Sequence, residues 1–194
     1  MRQRLGWVFV AGLVLWAPVA QAATYKTDKD HTTISFKVRH LFSKVEGTFN
    51  DFEGSFVYEP GHPEQWKAQA TVKAASIDTR VAERDKHLRS PDFLNVDAYP
   101  DITFTSTAVS DATATTAKLH GLLTIRGVQK PVVWNVDILG EGKDPWGNVR
   151  AGFTATTTIN RKDFGIIWNK VLETGQVLVG EEVNITLEVE GVKQ

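Results

Sequence analysis

The chain has 194 residues, 42% hydrophobic and 23% charged, with a formal net charge of −1, a composition suited to one ordinary globular domain. That balance excludes the clustered positive field needed to hold nucleic acid. The absence of cysteine excludes disulfides and thiolate chemistry, and a domain of this size buries enough core without staples.

Residues 1–22 read as a cleaved secretory signal peptide. Arg2 and Arg4 form a basic start, Leu5 to Trp16 an apolar core, and Ala20-Gln21-Ala22 a small-x-small cleavage site. The competing reading, a membrane anchor, is weakened by Gly6, Gly12 and Pro18, and the run is shorter than the roughly 18 apolar residues of a spanning helix. Cleavage near Ala22 implies a periplasmic or secreted protein. The mature chain keeps 20 basic residues against 23 acidic ones, a formal charge of −3, and residues 23–194 form a single domain.

Alternating apolar and polar residues then predict strand after strand. Thr24–Asp28 opens the series, and His31–His40 follows with Ile34, Phe36 and Val38 on one face. Val45, Gly47 and Phe49 begin a strand that Phe52, Gly54, Phe56 and Tyr58 continue with opposite parity, which predicts a bulge near Asn50-Asp51. Trp66, Ala68, Ala70, Val72 and Ala74 make the next apolar face. Ser76–Thr107 interrupts the pattern with dense charge before a strand carrying Ile102, Phe104, Ser106 and Ala108. Leu119–Ile125 and Val132–Ile138 pair across the turn at Arg126-Gly127. A loop is expected over Gly140–Gly147, then a strand from Val149 to Ile159, an irregular connection over Asn160–Gly180, and a last strand through Val183, Ile185, Leu187 and Val189.

About eight strands with one apolar face each argue for antiparallel pairing. With almost no helix to cover them, those faces must be buried by sheet on sheet, in a sandwich or a closed barrel. Hairpin-length turns favour an up-and-down barrel, which removes exposed edges. Its inward face mixes bulky residues (Phe36, Phe52, Phe56, Phe104, Trp134 and Phe153) with small ones (Gly54, Ala68, Ala70, Ala108, Gly121, Ala151 and Ala155). An eight-stranded barrel is wide enough either to be filled by side chains or to hold one ligand, and the pattern leaves both open. An apolar lining would require an apolar guest.

Within Ser76–Thr107, Thr79 is a candidate N-cap for a helix over Arg80–Arg89, with Arg84, His87 and Leu88 on one side and an Asp85–Arg89 ion pair four apart. Ser90-Pro91 restarts a helical turn, and Phe93 and Leu94 anchor it in the core. Arg84, Asp85 and His87 are the densest polar chemistry in the chain. They serve as acid, base or headgroup contact, or they merely fasten a lid to the barrel rim. No nucleophile elbow, phosphate loop or zinc-protease motif accompanies them, and the five histidines (His31, His40, His62, His87 and His120) lack metal-ligand spacing. The reading is therefore of no catalytic residues, no metal and no cofactor beyond a bound lipid.

The stretches HTTISFKVRHLFSKVEGTF, SIDTRVAERDKHLRSPDFLNVDAYPDITFTST, HGLLTIRGVQKPV and NRKDFGIIWN resemble the YceI-like family of exported, lipocalin-like proteins that bind polyisoprenoids. The resemblance spans nearly the whole mature chain. It implies an all-β, eight-stranded antiparallel lipocalin-like barrel with a short helical insertion, holding a polyisoprenoid, an isoprenoid quinone or a similar long-chain amphiphile for carriage or sequestration. It also implies links to a membrane or a quinone-linked membrane protein, with oligomeric state open. The candidate lining and rim are Phe36, Val38, Phe52, Phe56, Phe104, Leu123, Trp134, Phe153, Leu88 and Phe93, with Arg84, Asp85 and His87 meeting the polar end. The alternatives are an enzyme acting on a lipid or quinone headgroup through Arg84, Asp85 and His87, and a non-binding stress-response module with a filled interior.

Overall fold

The computed structural model describes residues 22–173 and 175–194; the signal peptide read from residues 1–22 lies almost wholly outside them. In chain order the strands are β1 (Ala23–Thr27), β2 (Thr33–His40), β3 (Ser43–Phe49), β4 (Phe52–Tyr58), β5 (Lys67–Lys73) and β6 (Ile77–Asp78). The helix α1 (Ala82–Arg89) follows, then β7 (Asp101–Ser110), β8 (Thr116–Ile125), β9 (Val128–Lys143), β10 (Val149–Asn160) and β11 (Val179–Lys193). All pairings between them are antiparallel.

From β7 to β11 neighbours in sequence are neighbours in the sheet, β4 lies between β1 and β5, and β11 closes the ring by pairing with β1 at one end and β2 along the rest of its length. β1 and β2 act as one stave interrupted at Asp28–Thr32, and β3 and β4 as another interrupted at Asn50-Asp51. Eight staves therefore close an up-and-down barrel. The parity switch between Phe49 and Phe52 falls at the Asn50-Asp51 break. There the backbone leaves its partner strand, and Asn50 N–H donates to the Ser76 carbonyl while Lys73 N–H donates to that of Asp51.

Four local expectations are corrected. β9 runs on to Lys143 and the loop shrinks to Asp144–Asn148. An irregularity opposite Gly152 and Phe153 resets the register, so Gly140 pairs with Gly152 and Lys143 with Val149. A second irregularity between Ser106 and Ala108 turns Ala108 out to solvent and places Val109 on the inner face instead. Finally, α1 starts at Ala82, and Val81, not Thr79, stands at its N-cap. Thr79 is taken elsewhere: its N–H and hydroxyl both donate to Asp85 Oδ1, at 2.8 and 2.5 Å. The Asp85–Arg89 pair does not form, because Arg89 reaches back to the carbonyls of Ala75 and Ile77 at 2.7 and 2.6 Å.

The segment from Thr79 to Pro100 covers one end of the barrel. Phe93 and Leu94 are buried and pack with Ile125, Ile159, Phe164 and Ile166. Arg126, in the β8–β9 turn, donates to the Phe93 carbonyl at 2.9 Å and so ties that turn to the cap. At the opposite end Tyr25 stacks on Phe56 (5.0 Å between centroids, 7° between planes), and Phe153 meets Phe56 and Tyr58 edge to face. Cap and aromatic plug bracket the interior between them.

Candidate ligand cavity

Strand alternation sends every second side chain inward, and the inward residues do not fill the space. A cavity of about 340 Å³ runs between cap and plug, within the range of small-molecule and cofactor sites. Its wall is mostly aliphatic and aromatic. Phe36, Val38, Phe52, Phe56, Phe104, Leu123, Trp134 and Phe153 all line it, as do Leu88 and Phe93 from the cap. Residues facing it from β11, such as Val183, Ile185 and Leu187, are half-buried rather than fully buried.

The hollow arises from where the small residues fall. Gly54 lies opposite Ala70 and Phe56 opposite Ala68 across the β4–β5 ladder, so side-chain volume is missing from that part of the wall. Elsewhere glycine makes room for rings. A Cβ at Gly121 would lie 2.3 Å from Phe104 Cε2, and one at Gly47 would lie 2.5 Å from Phe36 Cζ. Each ring occupies the space that a side chain at the neighbouring strand's glycine would take. The large–small mixture in the sequence thus does two things: it seats aromatic rings on glycines and hollows the region around β4 and β5.

The polar candidates separate from this lining. Asp85 is buried, and its carboxylate is occupied by Thr79. Arg84 donates through Nε to Thr79 Oγ1 and through Nη2 to the Thr79 carbonyl, at 2.7 and 2.8 Å. These bonds fix the loop entering α1. His87 pairs with Asp92 at 2.9 Å on the outer side and presents its ring edge-on to Phe93 and Trp168. None of the three belongs to the cavity wall. Arg84 and Asp85 both bond to Thr79 and His87 bonds to Asp92, because a buried carboxylate must be satisfied locally.

One buried charged side chain does belong to the wall, and the candidate set omitted it. Arg161 stands at the start of a 3-10 turn (Arg161–Phe164) directly after β10 and is 4% exposed. Its Nε donates to the Gly180 carbonyl at 2.9 Å and its Nη1 to that of Ile166 at 2.6 Å. Nη2 has no partner among the described residues. Burial disfavours the charge and lowers the guanidinium's pKa, with Glu181 acting in the opposite sense; Glu181 itself is held by Lys162. The signal was present in sequence: the parity Ala151, Phe153, Ala155, Thr157, Ile159 carries on to Arg161.

A second polar cluster sits at the plug end. Arg150 bridges Asp28, Asp144 and Glu190 at 2.7, 2.8 and 2.6 Å, and His31 adds a 2.9 Å bond to Asp28. Asp28, His31 and Glu190 lie close enough together to hold a cation, but Arg150 Nη1 already bonds both carboxylates. The Arg150 and His31 bonds hold Asp28 down to about 2. Nearby, burial, followed by the adjoining Glu141, pushes the Tyr25 phenol up to about 12, so it stays neutral.

A closed, eight-stranded, lipocalin-like barrel around an apolar cavity defines the class of protein. Residues 25–191 match the model of the YceI-like domain, and the chain belongs to the YceI-like family. A UPF0312 protein of Pseudomonas putida strain W619 is 45% identical over 184 residues, covering 93% of this chain and 92% of that one. One of Shewanella baltica strain OS195 is 43% identical over 197 residues and covers both chains in full. Among solved structures, the YCEI protein of Campylobacter jejuni matches with a TM-score of 0.70 at 32% identity, over 80% of this chain and 90% of that one. A polyisoprenoid binding domain from Saccharophagus degradans shares the fold with a TM-score of 0.66 at 13% identity, over 90% of this chain and 100% of that one.

Proposed function

We propose that this is an exported lipid-binding protein that holds a polyisoprenoid, an isoprenoid quinone or a similar long-chain amphiphile inside the barrel, for carriage or sequestration. The observation that carries the reading is the cavity: about 340 Å³, walled by apolar side chains and bracketed by a cap and an aromatic plug. Membership of the YceI-like family supports it, as does the shared fold of the Saccharophagus degradans domain described as polyisoprenoid binding. Export rests on the leader read from residues 1–22.

Energetics favour a long guest. Burying a methylene-sized group contributes about 0.8 kcal/mol, whereas association costs on the order of 4–15 kcal/mol in lost freedom. On the order of ten buried groups are needed before binding is net favourable. Short apolar molecules therefore exchange readily, while prenyl or acyl chains stay. The reading is of binding rather than turnover, supported by the commitment of Arg84 and Asp85 to Thr79 and away from the cavity wall. Organic extraction of the purified mature protein followed by mass spectrometry tests this. A stoichiometric long-chain amphiphile is expected. An empty extract together with no uptake of added polyprenyl compounds refutes the reading.

A further inference from the structure

Arg161 is the one charged side chain that both belongs to the cavity wall and is buried, and nothing in the apolar lining calls for it. Two of its three nitrogens are fixed by backbone carbonyls of the segment that closes this end of the barrel, Ile166 and Gly180. The third, Nη2, is shut away from solvent without an acceptor among the described residues. Buried donors in native proteins are almost always paired, so an orphan at a ligand cavity asks for a partner. The charge poses the same question. The guanidinium meets two neutral carbonyls and forms no ion pair with a carboxylate among the described residues, since Glu181 is engaged by Lys162. In a low-dielectric wall an unpaired cation attracts an anion far more strongly than in water.

We propose that Arg161 anchors the head of the guest, its guanidinium taking an anionic oxygen group (a carboxylate or a phosphate) while the chain lies along the barrel towards the aromatic plug. This deepens, and rests on, the lipid-binding reading above. The side chain is already held by two bonds, so little further ordering is needed when an acceptor arrives. A charge-assisted bond of this kind separates anionic from neutral heads by about tenfold or more.

The experiment uses three probes sharing one C20 prenyl chain: geranylgeranyl phosphate, geranylgeranoic acid and geranylgeraniol. Their binding to the mature wild-type protein is titrated through quenching of tryptophan fluorescence, Trp66 and Trp134 both lying on the wall. The expected result is that at least one anionic probe binds about tenfold or more tighter than the alcohol, the tighter one naming the head. Arg161→Met is expected to erase that preference and leave alcohol binding within about threefold, and Arg161→Lys to restore part of it. Equal affinity for all three probes in the wild type overturns the proposal while leaving lipid binding intact. Failure of every probe to bind overturns lipid binding as well. Should the variants fold poorly, carbon-13 titration of the carboxyl-labelled acid bound to the wild type decides. Ionisation below the acid's ordinary range supports Arg161 as partner, and ionisation above it, as for a carboxyl in a purely apolar pocket, refutes it.

Discussion

Replacing Gly121 by alanine sets two effects against each other. Gly121 lies inside β8 with no left-handed φ, so backbone entropy alone makes alanine the better residue by about 0.5–1 kcal/mol. The space says otherwise. The new Cβ would stand 2.3 and 2.4 Å from Phe104 Cε2 and Cζ and 2.6 Å from the Thr105 carbonyl oxygen. Carbon contacts settle near 3.5–4 Å, so the ring must retreat by more than about 1 Å. The carbonyl, fixed in the β7–β8 ladder opposite Leu122, cannot follow cheaply. Overpacking of this kind costs about 1–3 kcal/mol. In a domain of this size that lowers Tm by about 2–12 °C, at roughly 2–4 °C per kcal/mol. Phe104 also meets Trp134 edge to face at 5.9 Å, so a displaced ring intrudes on the cavity and weakens lipid uptake too. Thermal unfolding by circular dichroism of Gly121→Ala, Phe104→Leu and the double variant measures the coupling, expected at about 0.5–3 kcal/mol in favour of the pair. A Gly121→Ala protein as stable as the wild type, or one not rescued at all by Phe104→Leu, refutes the idea that glycine is there to seat the ring.

Asp85→Ala leaves Thr79 N–H and Oγ1 without their acceptor and is expected to cost about 1–3 kcal/mol in chemical denaturation, with lipid uptake nearly unchanged; a large loss of uptake in a protein of normal stability would put Asp85 in the binding machinery. Ala70→Phe fills the hollow opposite Gly54, so extraction should recover markedly less lipid while Tm falls little, and full retention of lipid would place the guest elsewhere. Asp28 has a pKa depressed from 3.8 to about 2 by Arg150 and His31, so its contribution to stability is complete above about pH 4 and lost as pH falls towards 2. Asp28→Asn should flatten the stability profile across that window in acid titration, and an unchanged slope would mean the carboxylate is not paired in solution. His31 has the opposite sign: its pKa is raised, chiefly by its bond to Asp28, so its stabilisation is present below its ordinary value and fades as pH rises through the raised one. A midpoint that does not fall between pH 6 and 8 relative to His31→Gln would refute it.

The strands, their facing and the barrel were legible because a period of two is a local property: each residue's hydrophobicity states which face it takes. The apolar lining followed, and all ten of its candidates reached the wall. So did the interruption between Phe49 and Phe52, since a break in parity is itself a sequence signal. What sequence could not supply was anything that depends on which backbone groups a side chain finds in space. Thr79 looked like a helix cap, yet it is bonded by Asp85 from the first turn of α1, and Arg89 prefers the carbonyls of Ala75 and Ile77 to the carboxylate four residues away. The irregularity after Ser106 turned Ala108 outward, and continued pairing with β10 drew β9 through the expected loop, because ladder hydrogen bonds are settled between strands and not within them. The densest charge, at Arg84, Asp85 and His87, proved to be spent on the cap. The one buried charge in the wall, Arg161, stood in plain alternation just past the end of β10. Hydrophobic order along the chain determined the barrel and its apolar face; only the packing of staves, cap and plug decided that the interior stays hollow and that Arg161 Nη2 finds no partner among the described residues.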